Sequence, residues 1–129
     1  MAIRVIRLGT KRSAGEGLRI GTVRRPPRGV KKEDLARLDW YDLWLPELAP
    51  SAELVGEAMA GELTAARWER FEKRYRSEMK SPPAERLLLL LAALSHRTEL
   101  AVGCYCEDEA RCHRSILREL LAEKGAALL

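Results

Sequence analysis

Four short segments of this 129-residue chain have the hydrophobic pattern of β-strands. Residues 3–8 alternate imperfectly between apolar and basic side chains, and residues 18–23 contain several β-branched side chains. Residues 40–45 are apolar enough to predict a third, buried strand. Residues 100–106 are apolar almost without interruption, which is typical of a strand that is buried on both faces. We expect this last segment to be the central strand.

Helical spacing dominates the rest of the chain. Trp68, Phe71, Tyr75 and Met79 recur at helical intervals among charged residues, so they predict a buried stripe and not a base-stacking platform. The predicted helices are a short one at residues 32–38, longer ones that begin after Ser51, near Thr64 and after Ser81, and a final one that ends before Gly125.

The order of these elements predicts the fold class. Strands that alternate with helices indicate an α/β domain of three layers, in which helices flank a mainly parallel sheet. A chain of this length that is 47% hydrophobic is expected to form a single domain over residues 1–129. In such sheets ligands bind beyond the carboxyl ends of the strands.

Membrane and extracellular roles are not expected. The longest apolar run, residues 87–94, falls far short of the roughly 20 residues needed to cross a bilayer, and no secretory leader is recognisable. The three cysteines lie between residues 104 and 112, a spacing that indicates a local thiol or metal site and not a disulfide framework. We therefore expect a cytoplasmic protein.

Positive charge is concentrated near the N-terminus. Residues 1–32 hold ten Lys or Arg side chains and one acidic residue, Glu16. Within this segment, Arg24 and Arg28 lie in a loop stiffened by two prolines. Such a segment suits a phosphate-bearing partner, either nucleic acid or an anionic small molecule, although a solvated face has the same composition.

The strongest candidate site is residues 104–114, which contain all three cysteines. Cys112 and His113 are predicted in the first turn of the final helix, where free N–H groups and the helix dipole stabilise a thiolate or an anion. Arg111 and Arg114 add positive charge, and His113 has the spacing to face the sheet. Cys112 is therefore the best candidate nucleophile.

Three interpretations of this segment remain open. In thiol catalysis or redox chemistry, Cys112 attacks, His113 acts as base, and Cys104 or Cys106 resolves an intermediate. In a zinc site, the ligands are Cys104, Cys106, Cys112 and His113, although the usual C-x-x-C spacing is missing. In the third interpretation the cysteines are small apolar core residues.

The chain resembles the domain-of-unknown-function family 488 (DUF488), including its YeaO-like branch. Two positions depart from that branch, which usually has an acidic residue where Val23 stands and tryptophan where Pro26 stands. The resemblance implies a small α/β fold and a site that joins the Arg28 loop to the Cys112 turn, and it implies no reaction. The matching segments are Arg24 with residues 27–30, residues 48–51 with 53–54, residues 68–75 with Glu78, and residues 104–114.

Together these observations predict a site that pairs the Cys112 thiol with Arg28 and Arg114 and that binds or acts on an anionic or phosphate-bearing substrate. They leave open whether the protein is a cysteine-dependent enzyme. One alternative is a nucleic-acid-binding or redox-regulatory module that uses the basic N-terminal segment. A second alternative is a zinc-stabilised structural domain. The sequence predicts neither the reaction nor an oligomeric state.

Overall fold

The computed structural model describes residues 1–106 and 108–129 and contains a four-stranded, all-parallel sheet. Its strands lie in the order β1-β4-β2-β3, so β4 is central, as predicted. Residues 127–129 run along the outer edge of β1. The strands are β1 (Ile3–Arg7), β2 (Leu18–Gly21), β3 (Leu43–Trp44) and β4 (Leu100–Cys104). The predicted α/β class with a parallel sheet is confirmed.

Four α-helices pack their apolar stripes into one core with the sheet. Ser51 and Thr64 cap the first two helices by accepting hydrogen bonds from backbone N–H groups, as their positions predict. Proline opens the third helix, where Ser81 makes no side-chain cap. None of the helices in the described part of the chain is both long and apolar enough to cross a membrane. The helices are α1 (Ala52–Met59), α2 (Ala65–Glu78), α3 (Pro82–Leu94) and α4 (His113–Glu123).

Two predicted elements are much shorter than their sequence patterns suggest. Residues 32–38 form only a 3-10 turn, Lys32–Asp34, and only Leu43–Trp44 of residues 40–45 is a strand. In that segment Tyr41 is instead a loop residue whose ring lies against Gly21, where a Cβ atom would approach the ring to 2.4 Å. Tertiary packing therefore outweighs the strand propensity of the aromatic run.

The second face of the sheet is covered mainly by a loop. Leu35 and Tyr41 from this loop pack with Leu8, Cys104 and other residues in a second apolar cluster. This cluster also contains Val23, which is buried at a position where the YeaO-like branch usually has an acidic residue. A carboxylate there would be buried among apolar groups, so valine suits this chain.

The carboxyl ends of the parallel strands position the candidate site. β4 ends at Cys104 and not at Cys106, and β2 is followed by Thr22, which donates its backbone N–H to the Gly103 carbonyl oxygen over 2.9 Å. The N-terminus of α4 meets this same edge of the sheet, because His113 contacts Thr22.

Candidate functional site

Three cysteine sulfurs meet where β4 gives way to α4. Cys104 is the last residue of β4, Cys106 follows two residues later, and Cys112 is the N-cap of α4. Their Sγ atoms all lie within 4.8 Å of one another, and the Sγ atoms of Cys104 and Cys106 are 3.4 Å apart. Cys106 is exposed, whereas Cys104 and Cys112 are 4% and 3% exposed. The structure thus brings all three cysteines together, which the sequence alone does not determine, and Cys106 is the member of the cluster in contact with solvent.

His113 connects this cluster to the end of β2. Its Nε2 atom lies 2.7 Å from the Thr22 carbonyl oxygen and 3.3 Å from Thr22 Oγ1. Because a carbonyl oxygen only accepts, this contact assigns the hydrogen to Nε2. Nδ1 then faces Cys112 Sγ at 3.8 Å. His113 is buried toward the sheet, as predicted, and its free nitrogen is directed at one sulfur.

The surroundings of the three thiols shift their pKa values in different directions. Hydrogen bonds from Cys104 and Cys106 lower the pKa of Cys112 far below its usual range; burial opposes this effect, and His113 adds to it. Hydrogen bonding to Cys106 and Cys112, together with burial, raises the pKa of Cys104. The pKa of Cys106 is also raised. The hydrogen bond with Cys104 and the positive charge of Arg114 lower this pKa, but the hydrogen bond with Cys112 and burial raise it by more. The negative charge of the cluster thus belongs on Cys112.

Arg114 places a buried positive charge beside the thiols. Its side chain is 3% exposed, and its Nη2 donates to the Cys106 carbonyl oxygen over 2.7 Å. Its Nε is buried without a hydrogen-bond partner, and Arg114 forms no ion pair with any carboxylate in residues 1–106 and 108–129. A buried guanidinium without a carboxylate partner is costly, so this arrangement suits a site where negative charge is held, either on the thiol cluster or on a bound anion.

Arg24 has its donors engaged in the protein itself. Its Nε donates to the Pro50 carbonyl oxygen over 2.9 Å, and its Nη2 contacts the carbonyl oxygens of Pro46 and Ala49. These contacts fasten the basic loop to the segment that precedes α1. The anion-binding role of Arg24 stays a prediction, and these carbonyls would compete with any anion.

The other two predicted anion ligands are exposed. The Arg28 guanidinium lies close enough to Tyr105 to oppose the rise in that phenol's pKa, which is caused mainly by burial. Arg111 places its guanidinium carbon 5.9 Å from the centre of the Trp68 ring. Arg28 thus lies near the cysteine turn, whereas Arg111 is directed toward the aromatic stripe of α2.

The structure adds two residues that the sequence pattern did not single out. Thr22 fixes the orientation of His113, and nothing local in the sequence indicates this role because the residues are 91 positions apart. Tyr105 donates its hydroxyl to the Arg25 carbonyl oxygen over 2.9 Å. The available signal was its position inside the cysteine motif, between Cys104 and Cys106.

The thiol cluster has the ligand chemistry of a soft metal site. Three sulfurs at this separation are close enough to hold one ion such as zinc. His113 does not belong to this group of mutually close ligand atoms, because it approaches Cys112 and has its other nitrogen on Thr22. Of the four predicted zinc ligands, the structure therefore brings together the three cysteines but not His113.

Comparison with known families agrees with the resemblance in the motifs. No curated protein and no solved structure matches the chain. The model of the DUF488-N3a family, described as the active DUF488-N3 subclade, matches residues 3–125, which include every element from β1 to α4. The chain therefore belongs to the DUF488-N3 subclade of the DUF488 family.

Proposed function

We propose that this protein is a cysteine-dependent enzyme that acts on an anionic, phosphate-bearing substrate, with Cys112 as the nucleophile. The observation that carries the proposal is the contact of Cys112 Sγ with His113 Nδ1 at 3.8 Å, in a histidine whose Nε2 is held by a carbonyl oxygen. Nucleophilic cysteines are activated by this combination of a neighbouring base and a group that orients the base. The description of the matching subclade as active agrees with an enzymatic role.

Each group around Cys112 has a role in forming the thiolate. His113 Nδ1 accepts the proton from Cys112 Sγ, and the S–H groups of Cys104 and Cys106 donate to the resulting negative charge. Cys112 is also the N-cap of the 11-residue helix α4, whose dipole stabilises a thiolate at that end. Cys104 and Cys106 thus act as hydrogen-bond donors that stabilise the Cys112 thiolate.

Arg114 supplies the complementary charge for the substrate. It lies beside Cys106, the exposed member of the cluster, so its buried guanidinium contributes positive charge to an anionic group that binds at Cys106. The Cys112 thiolate then forms a bond to the electrophilic atom of the substrate and the bond to the leaving group breaks. The leaving group takes the proton held on His113 Nδ1. Water then gives a proton to the same nitrogen and its oxygen forms a bond to the substrate atom, while the bond from that atom to Cys112 Sγ breaks and the thiolate re-forms.

Ultraviolet absorbance near 240 nm tests this proposal, because it detects a thiolate whether or not a thiol reagent can reach the sulfur. Between pH 6 and pH 7 the purified protein should show one thiolate that is lost in Cys112→Ser. His113→Gln should shift its titration to higher pH, because the base and its charge are removed. Cys106→Ser is the matched control, since it removes the exposed thiol but keeps a hydroxyl donor at that position, and it should keep the Cys112 signal.

Elemental analysis of the same sample completes the experiment. No thiolate at pH 7 would overturn the assignment of Cys112. About one zinc per chain, with all three thiols protected from alkylation until denaturation, would also overturn it in favour of a zinc-stabilised domain. Chelation should leave the melting temperature of a thiol enzyme unchanged.

A further inference from the structure

An aromatic corner adjoins the exposed side of the cysteine turn. Tyr105 lies between Cys104 and Cys106, is 36% exposed, and makes an edge-to-face contact with Trp40 at a centroid distance of 6.1 Å. The Trp40 ring packs against Gly9, two residues after the end of β1. The contact is so close that a Cβ atom at Gly9 would lie 2.9 Å from the ring. The corner is therefore built at the carboxyl ends of β1 and β4, where parallel sheets bind ligands.

Two exposed arginines flank this corner. The Tyr105 hydroxyl is bound to the Arg25 carbonyl oxygen, which ties the loop of Arg25 and Arg28 to the cysteine turn. Arg25 and Arg28 are both exposed, and in the described part of the chain neither makes an ion pair. Their positive charges oppose the rise in the Tyr105 pKa that burial causes. Pro26 and Pro27 restrict the backbone between them. The loop thus presents two positive charges in a stiff frame next to an exposed ring.

We propose that the substrate contains a nucleotide unit, whose base stacks on Tyr105 and whose phosphate is held by Arg25 and Arg28. This inference deepens the proposed function, since it supplies the substrate class for the site at Cys112. An inorganic anion would use the arginines but not the aromatic ring, whereas a base with its phosphate uses both. The aromatic stripe of α2 does not serve this purpose, because Phe71 and Tyr75 are buried in the core.

Fluorescence anisotropy with a labelled single-stranded oligonucleotide of about 12 nucleotides tests the inference. An abasic oligomer of equal length has the same phosphates without bases, so it should bind more weakly by about 5- to 150-fold for each base stacked. Tyr105→Ala should lose a comparable factor. Tyr105→Phe keeps the ring but loses the hydroxyl bond to the Arg25 carbonyl oxygen, so it should keep the ratio of affinities for the base-containing and the abasic oligomer. Competition by adenosine monophosphate shows whether a free nucleotide suffices or a strand is required.

Charge is tested with Arg28→Ala and a matched control, Arg86→Ala, which removes an exposed arginine on α3. The first variant should weaken binding and reduce the steepness of its salt dependence by about one phosphate contact, and the second should change neither. Equal affinity for the abasic and the base-containing oligomer, or unchanged binding by Tyr105→Ala, would overturn the inference.

The thiolate signal separates this inference from the proposed function. Nucleotide binding that survives Cys112→Ser, in a protein that shows no thiolate at 240 nm, would support the inference and overturn the enzymatic role of Cys112. A clear Cys112 thiolate in a protein that binds no nucleotide would overturn the inference alone.

Discussion

Replacement of Arg114 by methionine separates a structural arginine from a functional one. Two arginines in this protein are almost fully buried, and their partners differ. Arg19 is 0% exposed and is bound through Nε and Nη2 to both carboxylate oxygens of Glu16. Arg114 has one hydrogen bond, to the Cys106 carbonyl oxygen, and no carboxylate partner among the described residues.

The expected change in stability follows from that difference. Arg114→Met loses a hydrogen bond from a charged group, worth about 1.5–3 kcal/mol, and exposes nothing new to solvent. It also removes a buried charge without a carboxylate partner, whose desolvation costs several kcal/mol. The two effects oppose each other, so the free energy of unfolding should stay within about 1 kcal/mol of the original value or increase.

Urea denaturation with and without inorganic phosphate measures both properties. If phosphate occupies the Arg114 site, a concentration about ten times its Kd stabilises the original protein by about 1.4 kcal/mol. Arg114→Met should abolish this increment, and Arg86→Met, an exposed control on α3, should retain it. A loss of 3 kcal/mol or more in Arg114→Met, with the phosphate increment intact, would refute the reasoning and make Arg114 a structural residue.

Three further predictions concern the frame around the site. Glu16→Gln leaves Arg19 buried and uncompensated and should cost about 3–5 kcal/mol in urea denaturation, against less than about 1 kcal/mol for the exposed control Glu119→Gln. Burial raises the pKa of Asp42, but hydrogen bonds from two arginines hold it below its usual 3.8. The stabilisation from ionised Asp42 is therefore present above its usual pKa and is lost as the pH falls through the lowered pKa. Asp42→Asn should thus reduce the dependence of the melting temperature on pH over that acid range. An unchanged dependence would contradict this prediction. Gly103→Ala places a Cβ atom 2.7 Å from a carbonyl oxygen of β1 and should cost about 1–3 kcal/mol, whereas a cost near zero would mean that β1 shifts freely.

The sequence was most informative where structure is determined locally. Ser51 and Thr64 accept hydrogen bonds from residues three positions later, so the cap and its partner appear in one short segment. The thiol cluster is local for the same reason, because its members span only nine residues of a strand, a turn and a helix start. The central position of β4 followed from the uninterrupted apolar run that a doubly covered strand requires.

Contacts between distant segments were not predictable in this way. Thr22 orients His113 across 91 positions, and the Tyr105 hydroxyl meets the basic loop across 80. The residues that surround β3 show the same limit, because the Tyr41 ring fills the space over Gly21 instead of entering a strand. A count of charges also could not show that Arg24 donates to three carbonyl oxygens while Arg25 and Arg28 stay exposed.

One of the two buried arginines has a carboxylate partner and the other does not. This difference gives a physical reason to place function at the carboxyl edge of the sheet, where Arg114 lies. Arg19, although fully buried, forms an ion pair with the buried carboxylate of Glu16, so its charge is balanced within the fold. At the other location, Arg114 is buried next to three thiols, and the hydrogen bonds there direct ionisation to Cys112. A fold under selection for stability alone would gain from an apolar side chain in place of Arg114. The same turn also carries a fixed histidine and an exposed aromatic ring, so the guanidinium lies where the proposed function needs positive charge, beside the Cys112 thiolate and its anionic substrate.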